Sequence, residues 1–442
     1  MKFQSLNNAT TIITSDKDKI VLDPWAVGHL YQNSWGPFPK IKLKENYFKS
    51  TTHVIISHLH ADHYDPETLK HINKSATIII PKFKFNTVIS KTLEKMKFKN
   101  IKFLSLSSWH KISNNISIFL IPPINEMGQN FDQYKKFPEN SNIAIDTGII
   151  IADKNTDTKH ILLADNTPYN LKNFKKYIGQ YVYDSLWFPY NGFAKDYPLC
   201  MDNISLNEKK KISMNMCITR EKTILEAIKL SKPRMLFPYS SDFLLSGPYE
   251  DDFFKVNDDQ FFHKYKYANR IEKLTKIKSL ALYGSDNIIF EKNKKIIINI
   301  QSTINDKNIE HKKKELFFPK VCYKNTLRKE INDSLQLMFE RLKKYNLSQY
   351  GIKNWNLNIK TEKELFSLDF KNQKVYTGKD VNEKTKNKKI LLLKSKENII
   401  RGLVQKKIHF DNAQIGCYLS WERYPAKEYC KPLYDALCFL HL

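Results

Sequence analysis

Short apolar runs broken by polar turns dominate the first part of the chain. Val54-Ile55-Ile56, Thr77-Ile78-Ile79-Ile80-Pro81, Ile116-Ser117-Ile118-Phe119-Leu120-Ile121 and Ile143-Ala144-Ile145-Asp146-Thr147-Gly148-Ile149-Ile150 have the length and β-branched content of buried strands. Between some of them lie helical periods, as in Pro66-Glu67-Thr68-Leu69-Lys70-His71-Ile72. This alternation predicts two sheets packed inside outer helices. Residues 205–230 read as one basic amphipathic helix, with Ser205 and Glu208 spaced as a capping box. A strand, Met235-Leu236-Phe237-Pro238-Tyr239-Ser240, follows it. Residues 293–314 turn to Lys and Asn with short apolar interruptions, which predicts a domain junction. Beyond it, residues 325–345 form a helical pattern carrying Leu335, Leu337, Met338, Phe339 and Leu342. Residues 357–370, 374–376 and 390–393 then read as strands of a small α+β domain.

The expected organisation is an α/β catalytic domain over residues 1–292, the junction over 293–314 and the α+β domain over 315–442. A length of 442 residues accommodates two or three domains, and 41% hydrophobic residues supply their cores. No run approaches the ~18 apolar residues that span a bilayer. Met1-Lys2-Phe3-Gln4-Ser5 lacks the charged-then-apolar profile of a signal peptide. Six cysteines are scattered without close pairing, which predicts neither a disulfide framework nor a Cys-x-x-Cys metal site. A cytoplasmic protein with reduced thiols is expected.

The formal charge of +26 narrows the partners. Its lysines, as in Lys209-Lys210-Lys211 and Lys312-Lys313-Lys314, are spread along the chain, and there is no Arg-rich stripe interleaved with aromatics. Specific nucleic-acid binding is therefore not expected. A phosphorylated small molecule is the anion that fits best.

Chemistry concentrates in Ser57-His58-Leu59-His60-Ala61-Asp62-His63-Tyr64-Asp65, directly after the apolar run ending at Ile56. His58 and His60 alternate like residues leaving a strand, so they share a face and can clamp one ion. Asp62 and His63 lie on the following turn, where they can serve a second ion or its water. Histidine with carboxylate suits Zn or Fe, and one or two divalent ions are expected. In Tyr190-Asn191-Gly192-Phe193 a glycine lets backbone approach a ligand while the aromatics flank a ring. Lys195 and Arg234 are the cations expected to receive phosphate.

The His-x-His-x-Asp-His pattern resembles the signature of the metallo-β-lactamase superfamily. Leu6-Asn7-Asn8-Ala9-Thr10-Thr11-Ile12-Ile13 is similar to its opening strand, and Lys19-Ile20-Val21-Leu22-Asp23-Pro24-Trp25 to its second strand and ligand-supporting turn. Lys159-His160-Ile161-Leu162-Leu163-Ala164-Asp165-Asn166 ends where the superfamily places a metal-bridging aspartate. The resemblance implies an αββα sandwich and a ligand set of His58, His60, Asp62, His63 and Asp165. It makes Asp23, Asn142 and Asp146 candidates for further ligands or their supports. Asn142 stands roughly where the superfamily usually supplies another histidine, while His110 and His160 read as non-ligands.

Further segments resemble the catalytic part of hydroxylases acting on the N-acyl groups of CMP-N-acetylneuraminate and UDP-N-acetylmuramate. They are Asp23-Pro24-Trp25-Ala26-Val27-Gly28, Asp146-Thr147-Gly148, Asn191 to Pro198, Pro238 to Phe243, and Phe410-Asp411-Asn412-Ala413-Gln414-Ile415-Gly416 with Glu422-Arg423. Trp25, Tyr190, Asn191, Gly192, Lys195 and Arg234 are the residues expected at the substrate. Those hydroxylases carry a Rieske domain, which needs a Cys-x-His; no cysteine here starts one.

The first expected function is a metal-dependent hydrolase of a phosphorylated or nucleotide-linked sugar. In it, metal-activated water attacks and Asp62 orients that water or accepts its proton. The alternative is an iron-dependent oxygenase of a nucleotide amino sugar, fed electrons by a separate Rieske or ferredoxin protein. A non-catalytic binding protein is the third. The C-terminal domain, similar to the sterol-carrier type, is expected to help recognise substrate.

Overall fold

The structure, a computed structural model, describes residues 1–38, 47–82, 87–124, 146–190, 195–240, 243–302, 314–344, 352–378 and 389–441. Two sheets form the larger part. The first has eight strands in the order Ile296–Asn299, Asn287–Phe290, Lys2–Asn7, Thr10–Ser15, Asp18–Leu22, His53–Ile55, Thr77–Pro81 and Asn100–Leu104. The second has six, in the order Met235–Tyr239, Ser185–Pro189, Thr158–Leu162, Gly148–Asp153, Ile116–Ile121 and Trp109–Lys111.

Side chains along a strand alternate between faces, and that period builds the layers. Ile55 and Ile79 point inward, joining Phe3, Ile13 and Leu22 against Ile118, Ile149, Ile151, Leu162 and Trp187 of the second sheet. Their neighbours Val54, Ile56, Ile78 and Ile80 point outward onto Leu69, Ile72, Ile89 and Leu93. On the other side Ile150, Ile161, Leu186 and Phe188 pack on Phe174, Ile178, Ile224 and Ile228. Strands buried on both faces read as unbroken apolar runs, which is why their pattern is continuous. The fold is the expected αββα sandwich with an additional α+β C-terminal domain.

Helix Leu206–Ser231 starts where the spacing predicts it, with Ser205 Oγ accepting from the Glu208 N–H at 3.3 Å. The 6–13 stretch, read as one opening strand, is instead a hairpin, with Asn8 at the turn in the left-handed region (φ 48°). The Lys/Asn-rich stretch also begins differently from expectation. Ile296–Asn299 pairs antiparallel with Asn287–Phe290, so the first sheet continues past residue 293. The short apolar interruption there is an edge strand, whose partly exposed side chains disguise it as linker.

The C-terminal part is a five-stranded sheet in the order Lys374–Thr377, Leu365–Asp369, Trp355–Lys360, Lys389–Lys394 and Ser420–Tyr424. Helices Leu327–Lys344, Glu397–Val404, Phe410–Ile415 and Lys431–Leu437 accompany it. It meets the sandwich through residues 32–35 and 196–203. Trp35 Nε1 donates to Ile415 O at 3.1 Å, and Gln414 Nε2 donates to Asp196 Oδ2 at 2.6 Å. Trp421 N donates to Cys200 O at 2.8 Å, and the Cys200 and Cys417 thiols meet beneath it, both buried and free. These two cysteines, 217 positions apart in sequence, are neighbours in space without forming a disulfide.

Candidate metal centre

The centre collects residues at one edge of the two sheets. Ser57 to His63 leave strand His53–Ile55, Asp23 follows Asp18–Leu22, Asp165 follows Thr158–Leu162 and Ser240 follows Met235–Tyr239. Asp146 precedes Gly148–Asp153, which runs antiparallel to its neighbours and so begins at the same edge. Asp23, Ala164 and Ser240 all take left-handed backbone (φ 47°, 50° and 67°), turning the chain sharply as it leaves each strand.

Asp23 orders the histidines. Its Oδ2 accepts from His63 Nδ1 at 2.8 Å and from Ser57 Oγ at 2.7 Å, while its Oδ1 accepts from Ser57 N at 2.7 Å. With its own proton given to Asp23, Ser57 Oγ accepts from His58 Nδ1 at 3.0 Å. Both rings are thus held as Nδ1–H tautomers with their Nε2 lone pairs turned to the centre.

His58 Nε2 lies 2.9 Å from His60 Nδ1, a separation that demands a proton or cation between the two nitrogens. His63 Nε2 lies 3.3 Å from Asp62 Oδ2 and 3.5 Å from Asp165 Oδ2, and it is buried without a hydrogen-bond partner. Ligand atoms of His58, His60 and Asp165, and separately of Asp62, His63 and Asp165, lie within 4.8 Å of one another. Asp165 belongs to both groups. Asp146 Oδ1 stands 3.6 Å from His58 Nε2. An orphaned imidazole nitrogen facing two carboxylates, with two more nitrogens converging beside it, fits a pair of divalent ions.

The charges are strongly coupled. Burial, then the neighbouring His63, pushes His58 down to about 4, and burial also lowers His60. Burial would raise Asp62 and Asp165, but His63 overrides it and holds both well below the usual carboxylate range. Burial would lower His63, but Asp62, Asp165 and Asp23 together hold it well above its ordinary value.

Asp62 is clamped at both oxygens. Asn8 Nδ2 donates to Oδ2 at 2.9 Å and Tyr31 OH donates to Oδ1 at 2.8 Å. Ser240 Oγ donates to Asp165 Oδ1. The sequence reading missed these supports. They are single polar residues at turns, and only the left-handed Asn8 and its hairpin turn carried any local signal.

The expected substrate residues fare unevenly. Lys195 is at the centre: its charge acts on Asp165 and Asp62, and its ammonium sits 5.4 Å from the Trp35 ring. Burial is the main cause that lowers its pKa. Trp25 is fully buried, its backbone N–H donating to Thr10 Oγ1 and its C=O accepting from the same hydroxyl. Tyr190 is buried and stacked on Tyr267, with ring centroids 5.8 Å apart. Arg234 precedes strand Met235–Tyr239 and pairs with Asp184 at 3.0 Å, at the sheet edge opposite the centre. Asn142, Asn191 and Gly192 lie outside the described residues. His160 packs between Phe3 and Phe290, away from the centre.

Residues 2–125 match a family model described as a beta-lactamase superfamily domain. A protein of Mycolicibacterium smegmatis, named as a Rieske 2Fe-2S iron-sulfur protein, is 34% identical over 115 residues. That is 26% of this chain and 22% of the relative. A similarly named protein of Mycobacterium tuberculosis is 36% identical over 85 residues, 19% of this chain and 16% of the relative. The chain thus matches about a fifth of the length of these relatives. Among solved structures, the isothiocyanate hydrolase from Delia radicum gut bacteria has a TM-score of 0.42 at 12% identity, covering 66% of this chain and 100% of that one. CmlA, a diiron β-hydroxylase from Streptomyces venezuelae, has a TM-score of 0.41 at 12% identity, covering 67% and 54%.

Proposed function

We propose that the chain is a metal-dependent enzyme with a two-ion centre, and that it hydrolyses a phosphorylated or nucleotide-linked sugar. The orphaned His63 Nε2 facing Asp62 and Asp165 carries this reading. His58, His60 and Asp146 would hold one ion, Asp62 and His63 the other, and Asp165 would serve both. When bound, such ions polarise the group under attack and lower the pKa of water toward ~7. The protein supplies the rest. Asn8 and Tyr31 fix the Asp62 carboxylate by donating to both of its oxygens, so that it would be held in place to orient the nucleophile or to accept its proton. Ser240 fixes Asp165, leaving Oδ2 turned to His63. Lys195 presents a cation toward the centre, suited to an anionic oxygen of the substrate. The C-terminal domain, seated on residues 32–35 and 196–203, would shape the substrate side.

A second reading has its own support. Asp146 stands beside His58, and Ser240 holds Asp165 at the end of its strand. The donor set is therefore rich in carboxylate, which suits iron as well as zinc. Together with the names of the curated relatives, this favours an iron-dependent hydroxylase of a nucleotide amino sugar, reduced by a separate Rieske or ferredoxin protein. Elemental analysis of protein purified without added metal separates the two. Zinc with release of product from a nucleotide-sugar panel supports hydrolysis. Iron with a visible spectrum that changes on reduction supports hydroxylation. Protein without metal, and unable to bind either ion, defeats both.

A further inference from the structure

Arg423 lies in the edge strand Ser420–Tyr424 of the C-terminal sheet and is only 3% exposed. Its guanidinium is a planar cation with five N–H donors and no acceptor. Its Nε and Nη2 are nonetheless buried without a hydrogen-bond partner, and it forms no ion pair among the described residues. The backbone around it is fixed. Asn203 Nδ2 donates to Arg423 O at 2.7 Å, and Arg423 N donates to Asn203 Oδ1 at 3.4 Å.

Two tyrosines flank the cation. The Tyr197 ring lies 4.7 Å and the Tyr429 ring 5.6 Å from the guanidinium carbon. Stacked rings cover the faces of the group and leave its edge to hydrogen bonds. Nε and Nη2 are the two donors of one edge, the fork that receives two oxygens of a carboxylate or phosphate. A buried charge without compensation is costly, and cation–π contact recovers only part of that cost.

The geometry points to an oxyanion site at the seam between the sandwich and the C-terminal domain. The Nε–Nη2 edge of Arg423 is the receptor for a phosphate or carboxylate group, and Tyr197 and Tyr429 are its walls. Both tyrosines are surface residues, 38% and 61% exposed, so the receptor lies close beneath the surface. Tyr197 lies two residues beyond Lys195, whose charge acts on Asp165. A ligand held at Arg423 therefore lies along the segment that leads to the metal centre. That the occupant is the anionic part of the substrate rests on the function proposed above; the site itself does not.

Inorganic phosphate and acetate, titrated separately into the full chain by calorimetry, test the site. The wild type is compared with Arg423→Lys, Tyr429→Ala and the His58→Ala/His60→Ala double variant. Saturable binding of at least one anion is expected in the wild type, and equally in the histidine double variant. The anion that binds more tightly identifies the source. Arg423→Lys keeps the charge and loses the fork, and should weaken binding by at least about tenfold. Tyr429→Ala removes a largely exposed wall that also packs on Tyr434, and should weaken it severalfold, which keeps the test open should Arg423→Lys fail to fold. No saturable binding by the wild type overturns the site, as does binding unchanged in both seam variants. Binding lost in the histidine double variant but kept in Arg423→Lys assigns the anion to the metal centre, overturning this site while leaving the proposed function standing.

Discussion

Asp23 faces no gap of its own, yet it fixes two of the three histidines at once. It takes the His63 Nδ1 proton directly and the His58 ring through Ser57. Asp23→Asn leaves the volume unchanged but puts an amide where two protons must be accepted. We expect metal affinity to fall roughly 10–100-fold, as for other partners that hold a ligating histidine. Competition against a chelator of known affinity measures this, and unchanged affinity would show that Asp23 only stabilises the turn. His160 makes the opposite kind of case, a histidine whose burial matters because it stays neutral. Burial, with the Met1 ammonium adding to it, holds its pKa well below 6.5. The unfolded chain takes up a proton there below about pH 6.5 and the folded one does not. The stability it contributes is therefore present above that pH and is lost as pH falls below it, by up to about 1.4 kcal/mol per unit. His160→Leu should remove close to one proton from the pH dependence of unfolding between pH 6.5 and 5, even if it is less stable at pH 7.5. A denaturant series with the same slope in variant and wild type would refute this.

Elements were legible in proportion to how local their signals are. The strand before Ser57 and the helix after Ser205 announce themselves by an apolar run and a cap, and both appear where expected. The hairpin at Asn8 and the edge strand Ile296–Asn299 did not. The first turns at Asn8 within a short segment of mixed Asn, Thr and aliphatic residues, and the second is short, half-exposed and preceded by lysine. The centre divides in the same way. Four of its residues come from one six-residue turn and could be read directly, but Tyr31 and Ser240 reach it only through the fold. The cap is the simplest element-scale test. Ser205→Ala removes the acceptor for the Glu208 N–H at the start of a 26-residue helix whose Ile224, Ala227 and Ile228 are core. A loss of about 0.5–1 kcal/mol in chemical denaturation is expected, at the low end for caps because this bond is exposed. A loss within error would mean that the first turn frays without consequence.

At the scale of the whole molecule, the arrangement of its parts was the least legible feature, because the contacts that set it join residues hundreds of positions apart. Gln32, Ser34 and Trp35 meet Tyr418, Gly416 and Ile415, while Asp202 meets Lys394. These seam residues adjoin the centre closely: Tyr31, next to Gln32, holds Asp62, and Lys195, next to Asp196, acts on Asp165. An ion that tightens Asp62 and Asp165 therefore tightens the surfaces on which the C-terminal domain sits. Ligands that bind only the folded state raise its stability by mass action, and the whole cooperative unit shares the gain. We expect the metal-loaded chain to unfold in calorimetry as one transition that includes the C-terminal domain, and chelation to lower that single transition. The tryptophans Trp355 and Trp421 of the C-terminal sheet should report the same midpoint as the sandwich, with and without metal. Two transitions, with only the sandwich responding to chelator, would show that the seam carries no coupling. In that case the C-terminal domain would have to act on substrate, if at all, without sensing the metal centre.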